Sequence, residues 1–144
     1  MGSTVCQAVQ DAEGLELVAR LDVGDRIVPA TLGGAQVAVD FTVPDVTEAN
    51  VHALIEAGVD AVVGTTGWTE ESYARVAEHL ARPEAAGRAV LIAPNFALSA
   101  VLAMSFAAKA APYFESAEVI ELHHPNKVDA PSGTAVATAQ ALAA

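Results

Sequence analysis

The chain has 144 residues, the length of one ordinary domain, with 53% apolar residues, 5% aromatics and a net charge of −11. That aliphatic content excludes a disordered chain, and the negative charge argues against nucleic acid and anionic membranes as partners, because their phosphates would repel it. A small anionic ligand stays open, since a local cationic pocket outweighs distant charges screened by salt.

In chain order, residues 3–12 read as a helix that stops near Gly14. Leu15 to Ala19 reads as a strand, and Val37 to Phe41 as a second, nearly all apolar. Pro44 opens a helix through Glu56, with Val46, Val51, Leu54 and Ile55 spaced for one face and Gly58 just past its end. Ala61 to Gly64 is a third strand. Thr69 caps the next helix, whose first turn carries Glu70 and Glu71 at the positive end of the dipole and which must stop before Pro83. Val90 to Ala93 is a fourth strand, Leu98 to Ala111 a helix, Ala117 to Leu122 a fifth strand, and Ser132 onward a last helix.

Strand–helix alternation with continuously apolar strands predicts a parallel sheet covered on both faces, the doubly wound α/β class. Ligands of that class sit beyond the carboxyl ends of the strands. The residues gathered there are Asp22, Thr42, Gly64-Thr65-Thr66, Pro94-Asn95-Phe96 and His123-His124. No apolar run approaches the ~20 residues of a membrane span, and no basic stretch followed by an apolar run opens the chain, so a soluble cytoplasmic protein is expected. The single cysteine, Cys6, can form no internal disulfide and reads as a small buried apolar residue.

The densest chemistry lies in Glu121 to Ala135, which holds two histidines, Lys127, Asp129 and a Ser-Gly-Thr turn into a helix. Ser132 can cap that helix, leaving the N–H groups of Gly133 and Thr134 to meet an anion, with Lys127 adding a point charge. His123 or His124 can deliver a proton near neutral pH. An anion clamp beside a proton donor suits reduction of a double bond in a small acid. The plain alternative is that both histidines are satisfied polar residues at a strand end. A metal site from His123, His124 and Asp129 is disfavoured, because neighbours on a strand point to opposite faces and Lys127 would repel the ion. No metal is therefore expected. His52 and His79 lie in helical patterns and read as surface or packing residues.

Gly2 and Asp22 are separated by about the interval between the last glycine of a dinucleotide fingerprint and the carboxylate that holds the adenosine ribose. Alone the pair is weak, since Asp22 also suits a solvated turn before Gly24.

The segment Glu121 to Ala135 closely resembles the signature of the dihydrodipicolinate reductase family, Glu-x-His-His-x-x-Lys-x-Asp-Ala-Pro-Ser-Gly-Thr-Ala, at every fixed position. Val39-Asp40-Phe41-Thr42, Val63-Gly64-Thr65-Thr66-Gly67 and Ala93-Pro94-Asn95-Phe96 follow the family in the same order. The resemblance implies an NADH- or NADPH-dependent reductase acting on a small dicarboxylate in the diaminopimelate route to lysine. It implies His123 as proton donor with Lys127 as partner, and His124, Ser132, Gly133 and Thr134 as substrate residues. It further implies cofactor contacts from Gly2, Asp22, Gly64, Thr65, Thr66, Ala93, Pro94, Asn95 and Phe96, and a homotetramer.

The fold implied is a Rossmann-like dinucleotide-binding domain over 1–115, lacking its first strand, and the start of an α+β substrate and oligomerisation domain over 116–144. Met1-Gly2 matches the last two letters of the family's Gly-x-x-Gly-x-Met-Gly, and the family continues beyond the helix at Ser132. The expectation is a piece clipped at both ends and inactive by itself. The alternative is a non-catalytic dinucleotide-binding relic of the same fold.

Overall fold

The computed structural model describes residues 1–125 and 130–143. The chain divides into two compact units, Met1–Ile92 and Ala93–Ala144.

The first unit opens with helix α1 (Gly2–Asp11) and is organised by a three-stranded parallel sheet, β1 (Val37–Asp40), β2 (Asp60–Val63) and β3 (Val90–Ile92), in that order across the sheet. Helix α2 (Pro44–Glu56) crosses from β1 to β2, and α3 (Glu70–Leu80) with a short 3-10 turn at Pro83–Ala85 crosses from β2 to β3. The expected helices form for the expected local reasons. Pro44 at the first turn of α2 needs no N–H partner, and Gly58 at φ +75° lets the chain leave its far end. Thr69 caps α3 in a reciprocal box, its Oγ1 accepting from the Ser72 N–H while the Ser72 Oγ accepts from the Thr69 N–H.

The ladder register sorts the sheet into two faces. Val39, Val62 and Leu91 lie side by side, as do Ala38, Ala61 and Val90, and Asp40, Val63 and Ile92. The last two rows point into the core with Val51, Leu54, Ile55, Val59, Val76 and Leu32. The opposite face is open: Val37, Val39 and Leu91 are 52%, 44% and 56% exposed. Continuous apolar strands predict coverage on both faces; in this unit α2 packs on the sheet from one side, and α3 packs on α2. β1 is an edge of the described sheet, and its Val37 and Val39 on that face are half-exposed.

Two predicted strands are not strands. Leu15 to Ala19 and Ala117 to Leu122 are irregular, with Leu15 61%, Ile120 82% and Leu122 92% exposed. β-rich residues adopt an extended backbone readily, but a strand exists only where a neighbour completes its hydrogen-bond ladder.

The second unit pairs α4 (Leu98–Ala110) with α5 (Gly133–Ala143), with a 3-10 turn at Ala111–Tyr113 following α4. The sequence reading divides the chain at 115/116, whereas the compact units meet at Ile92/Ala93, because α4 packs on α5.

Candidate functional site

In the first unit, polar groups collect at the carboxyl ends of β1 and β2. Asp40, the last residue of β1, is only 6% exposed. A buried carboxylate is tolerated only when its oxygens accept hydrogen bonds. Its Oδ1 accepts from the Thr42 N–H at 3.1 Å and from the hydroxyls of Thr42, Thr47 and Thr65 at 2.8, 3.3 and 2.7 Å, and its Oδ2 accepts from Asn50 Nδ2 at 2.9 Å. The Thr65 Oγ1 also accepts from the Thr42 N–H at 2.8 Å, tying the ends of the two strands together. Gly64 packs closely under Phe41: a Cβ there would lie 2.1 Å from Cε1 of the ring, which would have to move. Gly67, at φ +92°, would set a Cβ 2.7 Å from Pro44 Cβ.

The Gly64–Thr66 loop thus sits where a doubly wound sheet binds ligands, its position held by a residue the site reading missed. The available signal was an acidic residue closing an apolar strand, followed by threonines. Gly2 opens α1, and Asp22 starts an exposed turn in which its Oδ1 accepts from the Val23 N–H and its N–H donates to Asp25 Oδ2, both at 2.8 Å. Arg20, two residues before Asp22, donates to Gln10 Oε1 at 2.8 Å.

A second cluster lies in the second unit and joins residues predicted for different roles. The Thr134 hydroxyl donates to the Pro94 carbonyl and accepts from Asn95 Nδ2, each at 3.1 Å. Asn95 Oδ1 accepts from the Ala97 N–H at 2.8 Å, closing the turn into α4. Ser132 is buried and caps α5, its Oγ accepting from the Ala135 N–H at 3.1 Å. Its own N–H donates to Glu121 Oε1 at 2.7 Å and its hydroxyl to Glu121 Oε2. Glu121 Oε2 also lies 3.5 Å from His123 Nδ1. His124 is exposed, and Lys127 and Asp129 lie outside the described residues. The predicted cofactor residues therefore divide between the units: Gly2, Asp22 and Gly64–Thr66 in the first, Ala93–Phe96 in the second with His123, His124 and Ser132–Thr134.

Between α2 and α3 lies a polar groove of about 320 Å³ lined by His52, Glu56, Arg75, Glu78, His79 and Arg82. The two histidines, read from sequence as separate packing residues, meet Nδ1 to Nδ1 at 2.7 Å. One ring nitrogen of that pair donates and the other accepts, and Glu48 Oε1 lies 3.6 Å from His52 Nε2. Arg75 grips Glu48 with two bonds, Nε to Oε1 at 2.6 Å and Nη2 to Oε2 at 2.9 Å. That guanidinium holds the Glu48 carboxyl below its ordinary 4.5.

The parallel sheet with crossover helices defines a Rossmann-like α/β protein, followed by a helical unit with a carboxylate-anchored helix start. Two family models cover all but residues 97 and 98: one described as dihydrodipicolinate reductase, N-terminus, matches residues 1–96, and its C-terminal counterpart matches 99–144. The chain belongs to the dihydrodipicolinate reductase family. It is 68% identical over 143 residues to 4-hydroxy-tetrahydrodipicolinate reductase of Beutenbergia cavernae and 57% identical over 144 residues to that of Bifidobacterium longum. Each alignment covers 99% of this chain and 57% of the relative. A dipicolinate-bound dihydrodipicolinate reductase from Paenisporosarcina sp. TG-14 superposes with a TM-score of 0.71 at 34% identity, covering 99% of this chain and 61% of that one.

Proposed function

We propose that the protein reduces 4-hydroxy-tetrahydrodipicolinate to tetrahydrodipicolinate with NADH or NADPH, on the route to diaminopimelate and lysine. The observation that carries the reading is the second-unit cluster, in which His123 lies 3.5 Å from the carboxylate that holds Ser132, while Thr134 in the same helix start bonds to Asn95 and Pro94. Among the described residues nothing accepts from the N–H groups of Gly133 and Thr134, which suits one carboxylate of a small dicarboxylate. Ser132 shapes that turn, with its own polar atoms engaged. Lys127 adds a charge to the clamp, His124 a further polar contact, and His123 the proton. Dipicolinate, bound in the similar solved structure, is a dicarboxylate of this kind.

The nicotinamide cofactor, when bound, supplies a hydride. Gly2, Asp22, the Gly64-Thr65-Thr66 loop and Ala93 to Phe96 are the residues that would hold it. The close-packed Gly64 and the Asp40-anchored Thr65 suit a loop that must present backbone to a ligand. The complete protein acts as a homotetramer and has no nucleic-acid partner.

The test is NADH consumption by the full-length enzyme with enzymatically generated substrate. His123→Ala should lower turnover by around 10²-fold or more, the expected loss for a general acid. Lys127→Ala should lower catalytic efficiency by about ten- to a hundred-fold, the expected loss for a charge-assisted contact. Either variant within twofold of the parent would remove its assignment.

A further inference from the structure

We propose that Glu121 is a positioning residue that sets the ring orientation and tautomer of His123 and anchors it to the start of α5. Its catalytic consequence rests on the reading of His123 as the proton donor; the tautomer itself does not. Glu121 and His123 stand two apart on an irregular segment, and their side chains come together within ion-pair distance. The Glu121 carboxylate accepts from both the N–H and the hydroxyl of Ser132, and the same Oε2 lies 3.5 Å from His123 Nδ1. Ser132 is 7% exposed and belongs to the cap of α5, so the carboxylate is held by a fixed element.

An ionised carboxylate only accepts, so the imidazole nitrogen facing it carries the proton. The neutral His123 ring is therefore protonated on Nδ1, and Nε2 is the atom left for chemistry. A histidine oriented by a carboxylate on one nitrogen works through the other, and here the same carboxylate also fixes the turn that begins with Ser132. One side chain thus sets both the proton donor and the neighbouring amides of Gly133 and Thr134.

The discriminating variant is Glu121→Gln. Its amide oxygen can still accept from the Ser132 N–H and its NH₂ can donate to the Ser132 Oγ, so the helix start is kept. Toward His123, however, the NH₂ presents a donor, which makes Nδ1 an acceptor and moves the proton to Nε2. Long-range ¹H–¹⁵N correlation spectra of the ¹⁵N-histidine-labelled chain, in mildly alkaline solution, read the tautomer directly. The expected result is Nδ1–H in the parent and Nε2–H in Glu121→Gln. Nε2–H in the parent would overturn the proposal without any variant, as would an unchanged tautomer in a Glu121→Gln protein whose Gly133 amide shift shows the turn intact.

In the turnover assay, Glu121→Gln should lower kcat about tenfold or more while the substrate KM stays within about twofold. A parent-like kcat in Glu121→Gln, with His123→Ala impaired, would overturn the positioning role. A parent-like His123→Ala would instead sink the reductase role of His123, leaving the tautomer spectra to decide Glu121.

Discussion

At Asp40 a single carboxylate organises the end of the sheet. Its five donors come from Thr42, Thr47, Asn50 and Thr65, and Thr47 and Thr65 are themselves buried. Asp40→Ala takes that acceptor from the buried Thr47 and Thr65 hydroxyls and from Asn50 and should destabilise the first unit by roughly 3 kcal/mol, whereas Asp40→Asn keeps one acceptor and should cost about half of that. Chemical denaturation of the two variants checks the order; equal losses would show that the network is not what Asp40 supplies. Asp22 bears on cofactor choice. Its carboxylate suits both ribose hydroxyls and repels a 2′-phosphate, Val23 brings no cation, and Arg20 is engaged with Gln10. The full-length enzyme should therefore use NADH at least as well as NADPH. A hundredfold preference for NADPH in kcat/KM would sink that assignment.

Among the elements, α2 and the buried face of the sheet carry the core of the first unit. Val63 is fully buried, while Val39, on the edge strand, faces outward at 44% exposure. Val63→Ala should cost about 2–3 kcal/mol, from the lost transfer of two methyls plus the cavity. Val39→Ala should cost under about 1 kcal/mol. Similar losses at the two positions in urea melts would mean that the open face is covered in solution. The α2–α3 contact adds a pH dependence of known sign. Arg75 lowers the Glu48 carboxyl below its ordinary 4.5, so the pair's contribution is fully present above that value and is lost as pH falls through the lower, folded value. A double-mutant cycle of Glu48→Gln and Arg75→Ala should show favourable coupling at neutral pH that vanishes in strong acid. Coupling that persisted there would contradict an ionic origin. The contribution is modest because Arg75 is exposed.

Across the whole molecule, burial is uneven. Every fully buried apolar residue described lies in the first unit, and α4 and α5 bury none completely. In the second unit Leu98, Phe106 and Tyr113 are 72%, 61% and 86% exposed. Helices hold their hydrogen bonds mainly through tertiary packing of an apolar face. Amides of α4 and α5 should therefore exchange with deuterium well before those of α2 and β2 in the 144-residue chain. Equal protection in both units would show that the second unit is stabilised by something other than its own apolar contacts.

The sequence by itself determined the helices α2 to α5, the three parallel strands and the capping Thr69, because periodicity, caps and proline act over a few residues. It also marked the Gly64–Thr66 loop and the Ser132 turn, since small and polar residues at strand ends and helix starts are local signals. Only the tertiary structure decided whether Leu15–Ala19 and Ala117–Leu122 became strands, because a ladder needs a neighbour that local preference cannot supply. It alone paired Asp40 with Thr65, His52 with His79 and Glu121 with Ser132, contacts that span 25, 27 and 11 residues. A polar side chain advertises that it needs a partner, but packing chooses which one, and at such separations only the folded chain brings the two together.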